Sequence, residues 1–130
     1  MGPLMQAAFV ALGGGLGALS RFAVNGWAQR QFPGFAPSAT LIVNVAGCLL
    51  IGVVMALLRE RPSHARELQA LIVTGFLGGL TTFSAFGYQT VELLEGQQVS
   101  RAMLNVFANV LLGCGAVWLG IVIARRVFGA

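Results

Sequence analysis

The sequence predicts an all-α integral membrane protein: four transmembrane helices, the third of them broken, in a single domain over residues 1–130. Three observations predict it. First, 9% of the residues are charged and 57% hydrophobic, against roughly 25% charged in average soluble proteins. Eight Arg and four Glu, with no Lys and no Asp, are too few to cover a water-facing surface without large apolar patches. Second, the charges cut the chain into four apolar runs of about 20 residues or more, enough at 1.5 Å per residue to span a ~30 Å hydrocarbon core. Third, the middle of the third run reads Thr74-Gly75-Phe76-Leu77-Gly78-Gly79-Leu80-Thr81-Thr82-Phe83-Ser84-Ala85-Phe86. A Gly-Gly pair followed by Thr-Thr is poor helix material.

The expected helices cover about 3–28, 38–58, 68–92 and 102–124. The first run carries no charge from Met1 to Ser20 and continues past Arg21 to about Trp27. It lacks a basic leading segment and is too long for the apolar core of a signal peptide, so it is expected to remain as a span. Ser38–Leu58, Leu68–Val91 and Ala102–Ala124 are uncharged. The connectors are short and polar: Gln29–Pro37 with Pro33-Gly34, Arg59–Glu67 with His64, and Glu92–Arg101 with Glu95-Gly96. Period-2 alternation is missing, which disfavours a barrel. Four spans put both termini on one side with the second connector. That side holds Arg59, Arg61, Arg66, Arg125 and Arg126, and the other holds Arg30, Arg101 and Arg21. Five against three is a weak bias under the positive-inside rule, compatible with insertion in both orientations.

Gly accounts for 18 of the 130 residues, about twice the usual ~7%. Gly13 with Gly17, Gly75 with Gly79, and Gly52 with Ala56 stand four apart, the spacing that lets helix backbones approach closely in lipid. Polar residues share faces with small ones: Ala7, Ala11, Gly14, Ala18, Arg21 and Asn25 on the first span; Thr40, Asn44 and Gly47 on the second; Asn105, Asn109, Gly113, Ala116 and Gly120 on the fourth. These faces read either as inter-helix glue or as a polar path. Arg21 reads either as a residue snorkelling to the interface or as one drawing anions to a pore mouth. A backbone break at mid-membrane is tolerated where it is buried in protein or lines a cavity. It exposes carbonyls to cations and N–H groups to anions. Phe83 and Phe86, three apart, lie on one face, and aromatic edges carry partial positive charge.

All four Glu (Glu60, Glu67, Glu92, Glu95) fall at run ends or in connectors, leaving no mid-membrane carboxylate for proton or cation coupling. Amides, hydroxyls and ring edges suit an anion or a neutral solute. Too few ionisable groups remain for ordinary enzyme chemistry, so no catalytic residue is expected. The net charge of +4 forms no basic stripe for nucleic acid, and the arginines beside apolar runs suit lipid headgroups. Cys48 and Cys114 sit within apolar sequence as small hydrophobes.

The chain resembles the CrcB/Fluc fluoride channel family over essentially its full length. The residues that carry the resemblance are Gly13-Gly14-Gly15-Leu16-Gly17-Ala18-Leu19-Ser20-Arg21-Phe22, Thr40-Leu41-Ile42-Val43-Asn44-Val45-Ala46-Gly47 and, most specifically, Gly75-Phe76-Leu77-Gly78-Gly79-Leu80-Thr81-Thr82-Phe83-Ser84. The resemblance implies a multi-pass protein of the bacterial inner membrane that assembles as an antiparallel, dual-topology homodimer. It implies two pores that pass fluoride passively and relieve cytoplasmic fluoride toxicity. It also implies a structural sodium ion at the dimer centre on the backbone carbonyls of Gly78 and Thr81. The pore asparagine would be Asn44, the paired phenylalanines Phe83 and Phe86, and the vestibule arginine Arg21. The hydroxyls of Thr82 and Ser84 and the amides of Asn109 and Asn105 would complete the lining. The sequence departs from the family pattern in three respects: Ala85 replaces a second Thr, Gln89 stands where an acid is often found, and the hydroxyl track of the fourth helix reads Asn105, Asn109, Gly113 and Val117. Two rival functions are a small dual-topology cation or guanidinium exporter, which needs a membrane-embedded Glu on its first helix that this chain lacks, and a pore-less structural subunit.

Overall fold

The computed structural model describes residues 2–33, 37–60 and 65–129. Gly34 of the first connector, and Arg61 and His64 of the second, lie outside them. Every regular element among the described residues is helical. Helix α1 is Pro3–Gln31, opened by a proline in its first turn, where the missing N–H costs no hydrogen bond. Helix α2 is Pro37–Glu60. Helix α3 covers residues 65–80 and includes a π-helical stretch, Gln69–Leu77. Helix α4 is Phe83–Glu95, and α5 is Val99–Phe128 with a π-helical turn at Ala108–Leu112. Gly129, in the left-handed region at φ 67°, ends α5, the usual role of glycine there.

Among the described residues, four stretches are long and apolar enough to cross a membrane: Pro3–Gln31, Ala39–Glu60, Ala65–Glu95 and Val99–Phe128, of 29, 22, 31 and 30 residues. About 20 suffice, so the ends reach the headgroup region, where Arg30, Arg59, Arg125 and Arg126 lie in last turns. The turn between α4 and α5 is tight. The N–H groups of Gly96, Gln97 and Gln98 donate to the carbonyls of Glu92, Leu94 and Leu93, and Gln97 takes a left-handed φ of 57°.

Two glycine seams hold the bundle together. The α1–α3 seam places Gly13 and Gly17 against the carbonyls of Leu71 and Phe76, so close that a Cβ at either position would strike the backbone. From the other side, a Cβ on Gly75 would lie 2.9 Å from the Val10 carbonyl oxygen, and one on Gly79 would strike the Gly14 carbonyl. The i, i+4 spacings in the sequence therefore do mark a packing face. The α2–α5 seam is of the same kind: Gly52 faces the Val117 carbonyl and Gly120 the Leu49 carbonyl. Backbones that approach this closely gain van der Waals contact that lipid tails cannot match, the main source of helix affinity in a bilayer.

The small apolar core between the seams is Val43, Leu77 and Leu80, with Val24, Ile51, Ile72 and Phe76 around it. Large side chains elsewhere, such as Leu12, Phe22, Leu111 and Trp118, are exposed. In water this would drive aggregation; against lipid tails it costs nothing.

Candidate functional site

The interruption between α3 and α4 is two residues long. Thr81 (φ −82°, ψ 157°) and Thr82 (φ −152°, ψ 114°) are extended, a conformation β-branched residues favour. Gly47 of α2 admits them: its Cα faces the Thr81 methyl with no room for a side chain. The backbone N–H and the hydroxyl of Thr81 both donate to the Leu77 carbonyl, at 3.0 and 2.9 Å. Thr82 then caps α4 by accepting from the Ala85 N–H at 3.3 Å.

Asn44 of α2 braces the break. Its Oδ1 accepts from the Thr82 N–H at 2.9 Å, and its Nδ2 donates to the Thr82 carbonyl at 3.4 Å. One side chain thus serves both backbone groups of an extended residue, much as a neighbouring strand would. The break leaves the last carbonyls of α3 without their helical donors, those of Gly78 and Thr81 among them. In a continuous helix the Thr82 N–H would serve the Gly78 carbonyl and the Ala85 N–H the Thr81 carbonyl. Here the first serves Asn44 and the second the Thr82 hydroxyl. Gly78 and Thr81 are thereby left with acceptor oxygens deprived of their regular donors.

A groove of about 400 Å³ runs beside the break. Asn44, Gly47 and Cys48 line it from α2, Leu77, Gly78, Thr81 and Thr82 from around the break, Phe83 and Phe86 from α4, and Asn109 from α5. Among the described residues, the lining contains no carboxylate and no basic side chain. Phe83 is 82% exposed and Phe86 half-buried. Their ring centroids are 5.4 Å apart and the planes tilt by 52°, so the rings present edges as well as faces to the same space. The hydroxyls of Thr82 and Ser84 lie 3.3 Å apart, and Ser84 is exposed.

Behind the groove the amides form a chain. Asn44 Nδ2 donates to Asn109 Oδ1 at 3.0 Å. Asn109 Nδ2 donates to the carbonyl and the Oδ1 of Asn105, at 3.0 and 3.1 Å. Asn105 Nδ2 donates to Thr90 Oγ1 at 3.0 Å, and the Thr90 hydroxyl donates to the Phe86 carbonyl at 2.8 Å. Asn105 is 2% exposed, so each of its unmade bonds would carry a desolvation cost of about 1–3 kcal/mol.

The structure therefore brings together Asn44, Gly78, Thr81, Thr82, Phe83, Phe86 and Asn109 around one groove, with Ser84 outside its lining but against the Thr82 hydroxyl, and Asn105 behind it. Arg21 is half-buried on α1 and is not among the groove residues. The small-residue stripe of the fourth span divides. Asn105 and Asn109 join the amide chain, whereas Gly113, beside Cys48 Sγ, and Gly120 belong to the α2–α5 seam. On α1 the stripe carrying Gly14 and Ala18 packs on Gly79. Those portions are glue and not path. Thr90 is the residue that sequence reasoning missed. Its one signal is the Phe86–Thr90 spacing of four, which places it on the face of the paired phenylalanines. Gln89, on the same helix, keeps a buried Oε1 without a hydrogen-bond partner among the described residues.

Comparison with known proteins gives one consistent result over most of the chain. Residues 8–121 match the family described as CrcB-like protein, Camphor Resistance (CrcB). A protein of Azotobacter vinelandii named fluoride-specific ion channel FluC is 44% identical over 89% of this chain and 94% of its own length. A protein of the same name from Pseudomonas fluorescens Pf0-1 is 44% identical over 96% of this chain and 99% of its own. One from Flavobacterium psychrophilum is 38% identical over 92% and 96%.

Proposed function

The chain belongs to the CrcB family, and from that premise we propose that it is a fluoride-specific ion channel of the bacterial inner membrane, a non-enzyme that lets fluoride leave the cytoplasm passively. The observation that carries the reading is the groove itself. Hydrogen-bond donors and aromatic edges meet at a backbone interruption, and among the described residues no carboxylate lines the space. A proton-coupled cation exporter needs an acid there, and a pore-less subunit has no use for the polar lining.

Fluoride is small and strongly hydrated, so a path must replace water's hydrogen bonds without holding the ion too tightly. Asn44 is suited to this. Its Oδ1 and one amide proton are committed at 2.9 and 3.0 Å, while the second proton is held only by the 3.4 Å contact to the Thr82 carbonyl, near the limit of a useful bond. An anion entering the groove accepts a hydrogen bond from that N–H in place of the Thr82 carbonyl, while the 2.9 Å bond from the Thr82 N–H still holds the break. The Ser84 and Thr82 hydroxyls supply further donors, and the Phe83 and Phe86 edges supply weak sites that allow release. Asn109 lines the space from α5. The first-turn N–H groups of α4 add positive potential at the break. Arg21 is assigned to a vestibule, where it concentrates anions.

The freed carbonyls of Gly78 and Thr81 fit a cation with hard oxygen preference. No cluster of three or more His, Cys, Asp or Glu suited to a metal occurs among the described residues, so the donors available are backbone oxygens. These two residues would hold a structural sodium ion, which supplies fixed positive charge beside the anion path. Gly78 is exposed in the single chain, and the second half of such a site would come from an antiparallel second copy.

Two experiments test this. Protein reconstituted in liposomes should release loaded fluoride once a potassium ionophore relieves the charge imbalance, with no proton gradient and with far slower chloride release. Guanidinium transport driven by a proton gradient, without fluoride release, would replace the channel by an exporter. For the antiparallel assembly, Glu60→Cys in a chain whose Cys48 and Cys114 are replaced should react with an impermeant maleimide from both faces of the membrane, in roughly equal fractions. Glu60 is exposed at the end of α2, and removing it leaves the arginine balance unchanged. Reaction from one face only, in assembled protein, rules out dual topology.

A further inference from the structure

We propose that Thr90, Asn105 and Asn109 form a one-way hydrogen-bond relay that positions Asn44, so that Thr90, outside the groove lining, tunes fluoride passage. The inference rests on the channel reading and deepens it: the two amides of α5 are positioning residues, with Asn105 making no contact with the ion.

The direction of the relay is dictated at both ends by backbone groups that have no choice of role. The Thr82 N–H can only donate, so the oxygen of the Asn44 amide must face it. The Asn44 nitrogen is thereby turned towards Asn109, whose oxygen must accept. The Asn109 nitrogen then faces Asn105, whose backbone carbonyl can only accept and whose side-chain oxygen accepts as well. The Asn105 nitrogen is left to donate to Thr90. At the far end the Phe86 carbonyl can only accept, which orients the Thr90 hydroxyl proton and presents its lone pair to Asn105. Every amide flip in the sequence Asn44, Asn109, Asn105 is set consistently from both directions. Chains of this kind polarise one another and respond as a unit.

The relay also has a mechanical consequence. Its two ends fasten α4 at Thr82, just before its first turn, and at Thr90, two turns further on. The bonds reach α2 and α5, residues far away in sequence. The Phe83–Phe86 pair lies between these fastenings, so its placement relative to Asn44 depends on both. Removing the Thr90 hydroxyl takes the acceptor from Asn105 and the side-chain donor from the Phe86 carbonyl. Asn105 is then free to turn its amide, and the constraint on Asn109 and Asn44 weakens in order.

The test compares Thr90→Val, which deletes the hydroxyl at nearly constant shape, with Thr90→Ser, which keeps it. Two readouts are needed: fluoride release from liposomes per assembled protein, and the side-chain amide resonances of Asn44 and Asn109 in 15N-labelled protein, assigned with Asn44→Gln. The relay predicts that Thr90→Val lowers fluoride release about fivefold to tenfold, the scale of one lost buried hydrogen bond, and shifts the Asn44 amide resonance. Thr90→Ser should keep release within about twofold and leave that resonance in place. If Thr90→Val does not assemble, Thr90→Ala deletes the same hydroxyl without a branch and is read identically. An Asn44 resonance unmoved by loss of the hydroxyl overturns the relay whatever the flux does, because Thr90 then acts only on its own helix. A shifted Asn44 resonance in a protein whose wild type releases no fluoride upholds the relay and removes the channel reading.

Discussion

Asn44→Asp is expected to reduce fluoride flux by at least about a hundredfold. Carboxylate and amide have nearly the same size, but an ionised Asp is acceptor-only. It keeps the bond from the Thr82 N–H and loses both donor bonds, to Asn109 and to the Thr82 carbonyl. The Asn109 oxygen, now 3.0 Å from an oxygen instead of an N–H, must turn away. The carboxylate also places a negative charge where the anion should pass. At ~4 Å and an effective dielectric of about 20, two like charges repel by roughly 4 kcal/mol, which alone is close to a thousandfold in rate. Fluoride-electrode recordings from liposomes, normalised to assembled protein, measure the loss. Flux within twofold of wild type would show that the ion does not pass Asn44.

Phe83→Ile and Phe86→Ile are each expected to lower fluoride flux about tenfold or more with assembly preserved. Isoleucine retains apolar volume and removes the partially positive ring edge. The two sites differ in a way that makes the pair informative. Phe83 is 82% exposed, so its replacement removes little packing within the chain and any loss of flux reports the ring's contact with the path. Phe86 is half-buried and its carbonyl accepts the Thr90 hydroxyl, so its replacement adds a modest packing cost. A tenfold change corresponds to about 1.4 kcal/mol at the barrier, the size of one favourable aromatic-edge interaction. Unchanged flux in both variants, in protein that elutes as wild type does, removes the rings from the pathway and leaves them as packing.

Much of the groove's polar and aromatic character is legible in the sequence. Asn44, Thr82, Phe83, Ser84 and Phe86 stand out because polar or aromatic residues in the middle of apolar spans need a reason, and charge-free spans narrow the reasons to packing or an uncharged path. What could not be read was which groups are already spent. All four side-chain polar atoms of Asn44 and Asn109 are engaged within the protein, and the bonds of Asn44 depend on partners 38 and 65 residues away. Nor does the sequence single out Thr90, because one hydroxyl near the end of a span looks the same whether it bonds its own helix or a neighbour's amide.

The spans, the glycine faces and the place where the third run is weakest as a helix are written in the order of the residues. These are properties of composition and of periodicity along one chain, and lipid enforces them: a run of about 20 apolar residues must be helical, and small residues four apart form a flat face wherever that face docks. Packing in three dimensions sets that Gly13 and Gly17 meet α3, that Gly52 and Gly120 meet each other's helices, and that Gly113 and Gly120 of α5 are seam while Asn105 and Asn109 are network. It also sets that Asn44 takes the Thr82 N–H, which in a continuous helix would serve the Gly78 carbonyl. The physical reason is that a hydrogen bond has one donor and one acceptor. Which acceptor each donor finds is settled by distance in space, and within the break at Thr81 and Thr82 the helix no longer supplies the answer.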